Sequence, residues 1–373
     1  MALNFNPELG TLNSEPGTLT PIHNITLDEL ATWFSQLGQP AYRADQVLRW
    51  IYEKQATAFD QMSDLPEMVR SKLAETFLLS SLRSVHRTGS SDTTQKFLFE
   101  LPDGNFIESV LIPASPSLYG LASDRKTICV STQVGCAYGC KFCASGLEGW
   151  TRNLGPEEIV EQVLQVQSLS GEAIDNIVFM GMGEPLANYQ NLLRAIAIIN
   201  AGWGPGIGAR HITISTSGLV PRIRDLAEQP LQVRLAISLH GATDDVRQRI
   251  MPINRKYNLH ALMEACVYYQ TRKRQRITFE YILIDQVNDQ IEQAHELARL
   301  AARLEAKVNL IPYNTVAGLS WERPSRNRQH AFLHELRKHG IAATIRREKG
   351  HDIDAACGQL RLRAIRDKSF AAA

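Results

Sequence analysis

The chain has 373 residues, 44% apolar and 21% charged, with a formal net charge of +1. It is long enough for one large domain plus a smaller one, and the composition is that of an ordinary globular protein. No eighteen apolar residues run together, so a membrane-spanning helix is not expected. The start "MALNFNPELGTLNSEPGTLTP" lacks a basic stretch followed by an apolar run, so no secretory signal is read there and the cytoplasm is the expected compartment.

Residues 1–20, rich in Pro, Gly, Asn and Thr, are expected to form a flexible arm. Thr26 and Glu29 have the spacing of a capping box ahead of an apolar pattern through Leu30, Trp33, Phe34 and Leu37. "AYRADQVLRWIYEK" and "LPEMVRSKLAETFLL" read as two more amphipathic helices, giving a small helical module over 21–85. "QKFLFELPDGNFIESVLIP" alternates apolar and polar residues around Asp103-Gly104, the pattern of a β-hairpin, within a linking segment over 86–120.

From about residue 121 to 360 the rhythm changes. Six β-branched runs, "KTICVSTQV", "NIVFMG", "HITISTSG", "VRLAISLH", "ITFEYILI" and "KVNLIPYN", are mostly separated by helical stretches. Strands alternating with helices make a parallel sheet of βα units, and six of them predict an α/β fold of the partial (βα)6 barrel type. Polar or small residues collect where the strands end: Gly183-Glu184, Ser215, Ser238 with His240, and Asn314. Parallel barrels build their active sites at those ends. A tail over 361–373 closes the chain.

The charge is unevenly distributed. From Trp321 onward there are twelve Lys/Arg against six Asp/Glu, so that part carries an excess of six positive charges and the rest is net negative. "RKRQR" at 272–276 is a second basic run. The asymmetry suggests an acidic partner; the alternative is a solvated helix face.

Three of the six cysteines lie in "GCAYGCKFCASG" at 135–146, as Cys136, Cys140 and Cys143. No fourth Cys or His lies nearby in the sequence. Three readings stand: a [4Fe–4S] cluster on three thiolates with one iron open to a small molecule, zinc with a distant fourth ligand, and inert core cysteines. A structural zinc site normally takes four protein ligands, so the cluster fits the count better. Gly135 and Gly139 give the loop freedom to wrap a cluster, and Phe142 can shield it.

C-x3-C-x2-C with an aromatic residue before the last cysteine resembles the radical S-adenosylmethionine (SAM) superfamily, and "GMGEP" at 181–185 resembles its Gly-Glu-Pro motif. "FMGMGEPLANYQNLL", "ITISTSGLVP", "RLAISLHGATDDVRQRIMPINRKYNL" and "GHDIDAACGQL" together resemble the RlmN family, dual-specificity methyltransferases of adenine C2 in 23S rRNA and tRNA. The resemblance runs from the helical module to about Leu360. It implies a [4Fe–4S] cluster on Cys136, Cys140 and Cys143, with SAM held by Gly183, Glu184, Ser215, Ser238, Leu239, His240 and Asn314. It implies that Cys357 carries the methyl group, that Cys129 releases the product through a disulfide, and that Glu108 removes the C2 proton. A monomer reduced by a flavodoxin or ferredoxin is expected. The Cfr-type enzymes, which methylate C8, share most of these strings and are the nearest alternative. A metal-stabilised RNA-binding protein without catalysis is the other. Cys266 has no matched role and reads as a helix core residue.

Overall fold

The structure is a computed structural model that describes residues 19–90, 93–114, 125–147, 149–316, 319–346 and residue 353. Cys357, the N-terminal arm before residue 19 and the tail lie outside the described residues.

The N-terminal helices are α1 (Leu27–Gln36), α2 (Arg43–Tyr52) and α3 (Glu67–Thr76), bracketed by a short parallel pair, β1 (Thr20–Pro21) with β2 (Phe77–Leu78). The capping box forms: Glu29 N–H donates to Thr26 Oγ1 at 3.3 Å, and Thr26 N–H donates to Glu29 Oε2 at 2.8 Å. The same Glu29 carboxylate then takes Arg194, tying this module to the rest of the chain. Glu161 makes a second tie. Its buried carboxylate accepts Ser81 N–H at 2.8 Å, Ser81 Oγ–H at 2.7 Å and Leu82 N–H at 3.0 Å, with His23 Nδ1 at 3.3 Å.

Three antiparallel strands follow, β3 (Arg83–Gly89), β4 (Gln95–Glu100) and β5 (Phe106–Pro113). The predicted hairpin is β4–β5. Gly104 sits at φ +76° in its turn, where Asn105 N–H donates to Asp103 Oδ1 at 3.0 Å. Both strands belong to the large sheet. The βα part comprises β6 (Lys126–Cys129), the short pair β7 (Gln133–Gly135) and β8 (Trp150–Asn153), and the helical turn α4 (Ala144–Leu147) between that pair. Then come α5 (Pro156–Ser170), β9 (Asn176–Phe179), α6 (Tyr189–Asn200), β10 (Ile212–Thr216), α7 (Val220–Glu228) and β11 (Arg234–Ser238). The chain continues through α8 (Asp244–Ile250), α9 (Leu259–Lys273), β12 (Thr278–Leu283), α10 (Ile291–Arg303), β13 (Lys307–Pro312), α11 (Arg326–Lys338) and β14 (Ala343–Ile345).

The ten-stranded sheet runs β14-β13-β12-β11-β10-β9-β6-β5-β4-β3, and its βα strands are parallel. This is the partial (βα)6 barrel expected, with a seventh parallel strand, β14, at its edge. "KTICVSTQV" is not one strand. It breaks after Cys129, where Ser131 N–H donates to Gln162 and Ser131 Oγ–H donates to the Glu108 carbonyl, and resumes as β7 in a different sheet.

Register fixes which side chains share a face. Val110 pairs with Cys129, Cys129 with Val178, and Val178 with Thr213; Ser238 pairs with Glu280, and Glu280 with Asn309. Alternation along each strand therefore puts Glu108, Cys129, Ser215, Ser238 and Glu280 on one face. Ile128, Ile177, Ile214, Leu235, Phe279 and Val308 lie on the other, all essentially inaccessible. That apolar face is covered by the helices, as a parallel sheet requires. The face carrying the polar residues opens into a cleft.

Candidate active site

The cleft, of about 940 Å³ counting its open mouth, lies at the carboxyl ends of the parallel strands. Cys136, Cys140 and Cys143 line it, together with Gly183, Glu184, Ser215, Ser238 and His240. Sequence reading named all eight.

The cysteine loop is held from several directions. Cys136 N–H donates to the Gly149 carbonyl at 2.8 Å, and Cys143 N–H donates to the Cys140 carbonyl at 3.1 Å. Lys141 N–H donates to the Ile250 carbonyl at the end of α8, 2.9 Å away. Gly135 sits at φ +74°, and a Cβ there would drive into the Gly149 carbonyl, so this corner of the loop requires glycine. Phe142 packs edge-on against His240, ring centroids 4.7 Å apart.

Glu184 places a buried carboxyl on the cleft floor. Its Oε2 accepts Ser217 N–H and Oγ–H, both at 2.7 Å, and its Oε1 accepts Leu186 N–H at 3.1 Å. Burial pushes the carboxyl above its ordinary range, and the donors from Ser217 pull the other way without cancelling it. Gly183, at φ +99°, brings the backbone against Gln133; an added Cβ would lie 2.5 Å from Gln133 Cβ. That close approach lets Glu184 N–H donate to Gln133 Oε1 at 2.8 Å.

His240 is neutral, its pKa driven down to about 3 first by burial and then by the charge of Arg247. Its Nδ1 accepts Ile282 N–H at 3.0 Å, which places the ring proton on Nε2. Ser215 and Ser238 touch through their hydroxyls at 3.3 Å.

Two expected SAM contacts stand apart from the cleft lining. Leu239 is fully buried, and its backbone bonds to Glu280 and Arg247. Asn314 Oδ1 accepts Arg323 Nη2–H at 2.9 Å. Glu108 and Cys129 also lie off the lining, deeper along the same sheet face. Glu108 is buried with Lys96 Nζ 3.3 Å from Oε1.

Sequence reading missed Ser217, Gln133 and Glu280. Glu280 had a signal: a lone carboxylate inside the apolar run "ITFEYILI" is costly unless partnered. Here Asn309 Nδ2–H donates to its Oε2 at 2.7 Å, and burial still holds the carboxyl up despite the opposing charge of Arg346. The basic run at 272–276 closes α9, with Lys273 hydrogen-bonded to the Gln229 carbonyl and Arg272 paired with Glu228. In the basic C-terminal part, Arg323, Arg328, Arg337 and Lys338 have intramolecular partners, and Arg346 lines the cleft.

Three thiols at the mouth of a partial (βα)6 barrel, above a buried carboxylate on a Gly-Glu-Pro turn, define the radical SAM class. Residues 130–298 match the radical SAM superfamily, and residues 20–79 match the ribosomal RNA large subunit methyltransferase N-terminal domain. The chain is 52% identical over 363 residues to the "Probable dual-specificity RNA methyltransferase RlmN 3" of Opitutus terrae, covering 95% of this chain and 97% of that one. It is also 52% identical over 344 residues to the "Probable dual-specificity RNA methyltransferase RlmN" of Akkermansia muciniphila, covering 92% and 96%. The crystal structure of a radical SAM methyltransferase from Sphaerobacter thermophilus superposes with a TM-score of 0.86 at 45% identity, over 92% of this chain and 99% of that one. The chain belongs to the RlmN family of radical SAM methyltransferases.

It is therefore an enzyme, and its class uses a [4Fe–4S] cluster and SAM. The residues present fit both. The three soft sulfur donors of Cys136, Cys140 and Cys143 line one cleft with the Glu184 carboxyl, and burial keeps the Cys136 and Cys140 thiols neutral in the empty site, raised to about 12 and well above the usual value respectively. Gly146 leaves the loop its tight curl; a Cβ there would lie 3.2 Å from Cys140 N and O. Among the described residues no helix is long and apolar enough to cross a membrane.

Proposed function

We propose that the chain methylates C2 of adenine in 23S rRNA and tRNA, with the methyl group carried on Cys357. One observation carries the reading: strand register puts Glu108 and Cys129 on the same sheet face as Ser215, Ser238 and Glu280, which faces the cleft. The RlmN names of the relatives support it.

In this reading Cys136, Cys140 and Cys143 hold the cluster, and the Glu184 carboxylate receives the amino group of SAM. Bound there, the two groups supply a methyl and the one-electron chemistry that an electron-poor ring carbon demands. His240, neutral, offers Nε2–H to the cleft as a hydrogen-bond donor. Glu108, steadied by Lys96, accepts the C2 proton of the adenine bonded to Cys357. Cys129 as thiolate then attacks the Cys357 sulfur. The sulfur–sulfur bond forms, the Cys357 sulfur–carbon bond breaks, and its electron pair passes to the carbon that becomes the methyl on protonation. An adenine in folded RNA must leave its stack to reach the cleft. A flavodoxin or ferredoxin supplies electrons, and the enzyme acts as a monomer.

Mass analysis of nucleosides from 23S rRNA and tRNA treated with the reconstituted enzyme tests this directly. 2-Methyladenosine in both is the expected result. 8-Methyladenosine would make it a Cfr-type enzyme instead, and unmodified RNA would overturn the reading.

A further inference from the structure

Arg247 is wholly buried, at 0% exposure, the largest such side chain among the described residues. Its guanidinium donates from Nε to the Leu239 carbonyl at 3.1 Å, from Nη1 to Asn254 Oδ1 at 2.9 Å, and from Nη2 to the Ser217 carbonyl at 2.5 Å. Every one of those acceptors is neutral. The nearby carboxylate of Asp244 is one bond removed, accepting Asn254 Nδ2–H at 2.9 Å and Leu259 N–H at 2.8 Å. A buried cation bonded only to neutral acceptors is expensive, and uncharged side chains would serve three carbonyl-type acceptors at lower cost.

The backbone nevertheless makes room for it. A Cβ on Gly241 would lie 2.6 Å from Arg247 Cα, and one on Gly218 would lie 3.2 Å from its Nη2. Arg247 also sits one turn before Ile250, whose carbonyl holds Lys141 N–H, the residue after Cys140. Helix α8 thus joins the guanidinium to the cysteine loop. Burial draws the Arg247 pKa down to about 10, with the charge of Asp244 among the influences opposing it. It remains protonated at neutral pH.

We propose that Arg247 is the internal counter-cation of the cysteine loop and raises the reduction potential of the cluster bound there. The inference rests on the radical SAM reading of the site. A cluster on three thiolates is anionic overall and gains a further negative charge when a one-electron donor reduces it. A fixed positive charge in a dry site favours the more negative state, so removing it makes reduction harder. Arg247 acts as a positioning residue as well, because its three bonds gather the ends of β10 and β11 and the 251–254 turn around the cleft.

The test is the midpoint potential of the reconstituted full-length enzyme, from a dye-mediated dithionite titration read by the spin resonance of the reduced cluster. Arg247→Met should shift the midpoint to more negative values. Arg247→Lys keeps the charge and loses the forked bonds, so its midpoint should stay near that of the parent even if the fold is weakened. Asp244→Asn removes a partly compensating anion and should shift the midpoint the opposite way, to less negative values. A Met variant at the parent potential, or a Lys variant shifted as far as Met, overturns the proposal and leaves Arg247 a scaffold only. Should Met fail to hold a cluster, Asp244→Asn decides, and an unchanged or lowered midpoint there overturns it. A parent protein that binds no cluster would instead sink the radical SAM reading.

Discussion

Replacing Glu184 with Gln alters one oxygen and reaches into both fold and function. The carboxylate accepts three hydrogen bonds, two at 2.7 Å from Ser217 and one at 3.1 Å from Leu186 N–H. The amide keeps one acceptor. If that oxygen stays with Ser217, the amide nitrogen opposes Leu186 N–H, leaving a buried donor unmet at a cost of about 1–3 kcal/mol. Relief of the buried charge offsets part of this, so unfolding by denaturant should show a loss of about 1–2 kcal/mol. The effect on SAM should be larger. A charge-assisted bond to its amino group is worth about 1.5–3 kcal/mol, which is about 10- to 150-fold in Kd. Equilibrium dialysis of SAM against reconstituted protein, at matched iron and sulfide content, measures it. Because burial raises the Glu184 carboxyl, parent affinity should fall as pH drops through a value above the ordinary carboxylate range, and the Gln variant should be flat there. The SAM-free fold has the opposite slope: a raised carboxyl binds its proton more tightly when folded, so its contribution is greatest in acid and is lost as pH rises. A Kd change below about threefold, against the expected loss of a charge-assisted bond, would refute the role given to Glu184.

Three further outcomes are expected, the first from the proposed function and the other two from the geometry. Cys129→Ala should leave RNA bonded to the protein on a denaturing gel, whereas Cys357→Ala and the double variant should show no such species; normal turnover by Cys129→Ala would make that residue mere packing. Glu161→Gln should cost about 2–4 kcal/mol in denaturant unfolding, since one amide replaces a carboxylate shared by Ser80, Ser81, Leu82 and His23. Burial alone would raise Glu161, but His23, Ser81 and Leu82 overcome it and hold the carboxyl down, so this contribution is full above the ordinary carboxylate range and is lost as pH falls through the depressed value; a parent and variant with the same acid-unfolding profile would contradict it. Arg346→Gln should lower turnover while leaving the salt dependence of RNA affinity unchanged, because Arg346 lines the cleft; a flattened slope would put it on phosphate instead.

The linear sequence was enough for everything that depends on spacing. The capping box of Thr26 and Glu29, the turn at Asp103-Gly104, the six βα strands and the cysteine loop each announce themselves through neighbours within a few positions, since caps, turns and strand alternation are local physics. The polar residues at strand ends pointed to the cleft for the same reason. Strand β14 and the pair β7–β8, three or four residues each, carry too little pattern to be seen, and only their pairing partners define them.

What needed the tertiary structure is everything that depends on distant chain segments meeting. Glu108 and Cys129 lie 21 positions apart in the sequence, and only the antiparallel pairing of β5 with β6 puts them on the same sheet face. The basic excess after Trp321 suggests an acidic partner, and the structure shows which of its described cations pair within the chain, Arg323, Arg328, Arg337 and Lys338, and that Arg346 lines the cleft. Arg247 in "DDVRQRI" looks like one more solvated helix charge. Only the convergence of Leu239, Ser217 and Asn254 shows that it is buried, because burial depends on which segments surround a position and not on its sequence neighbours.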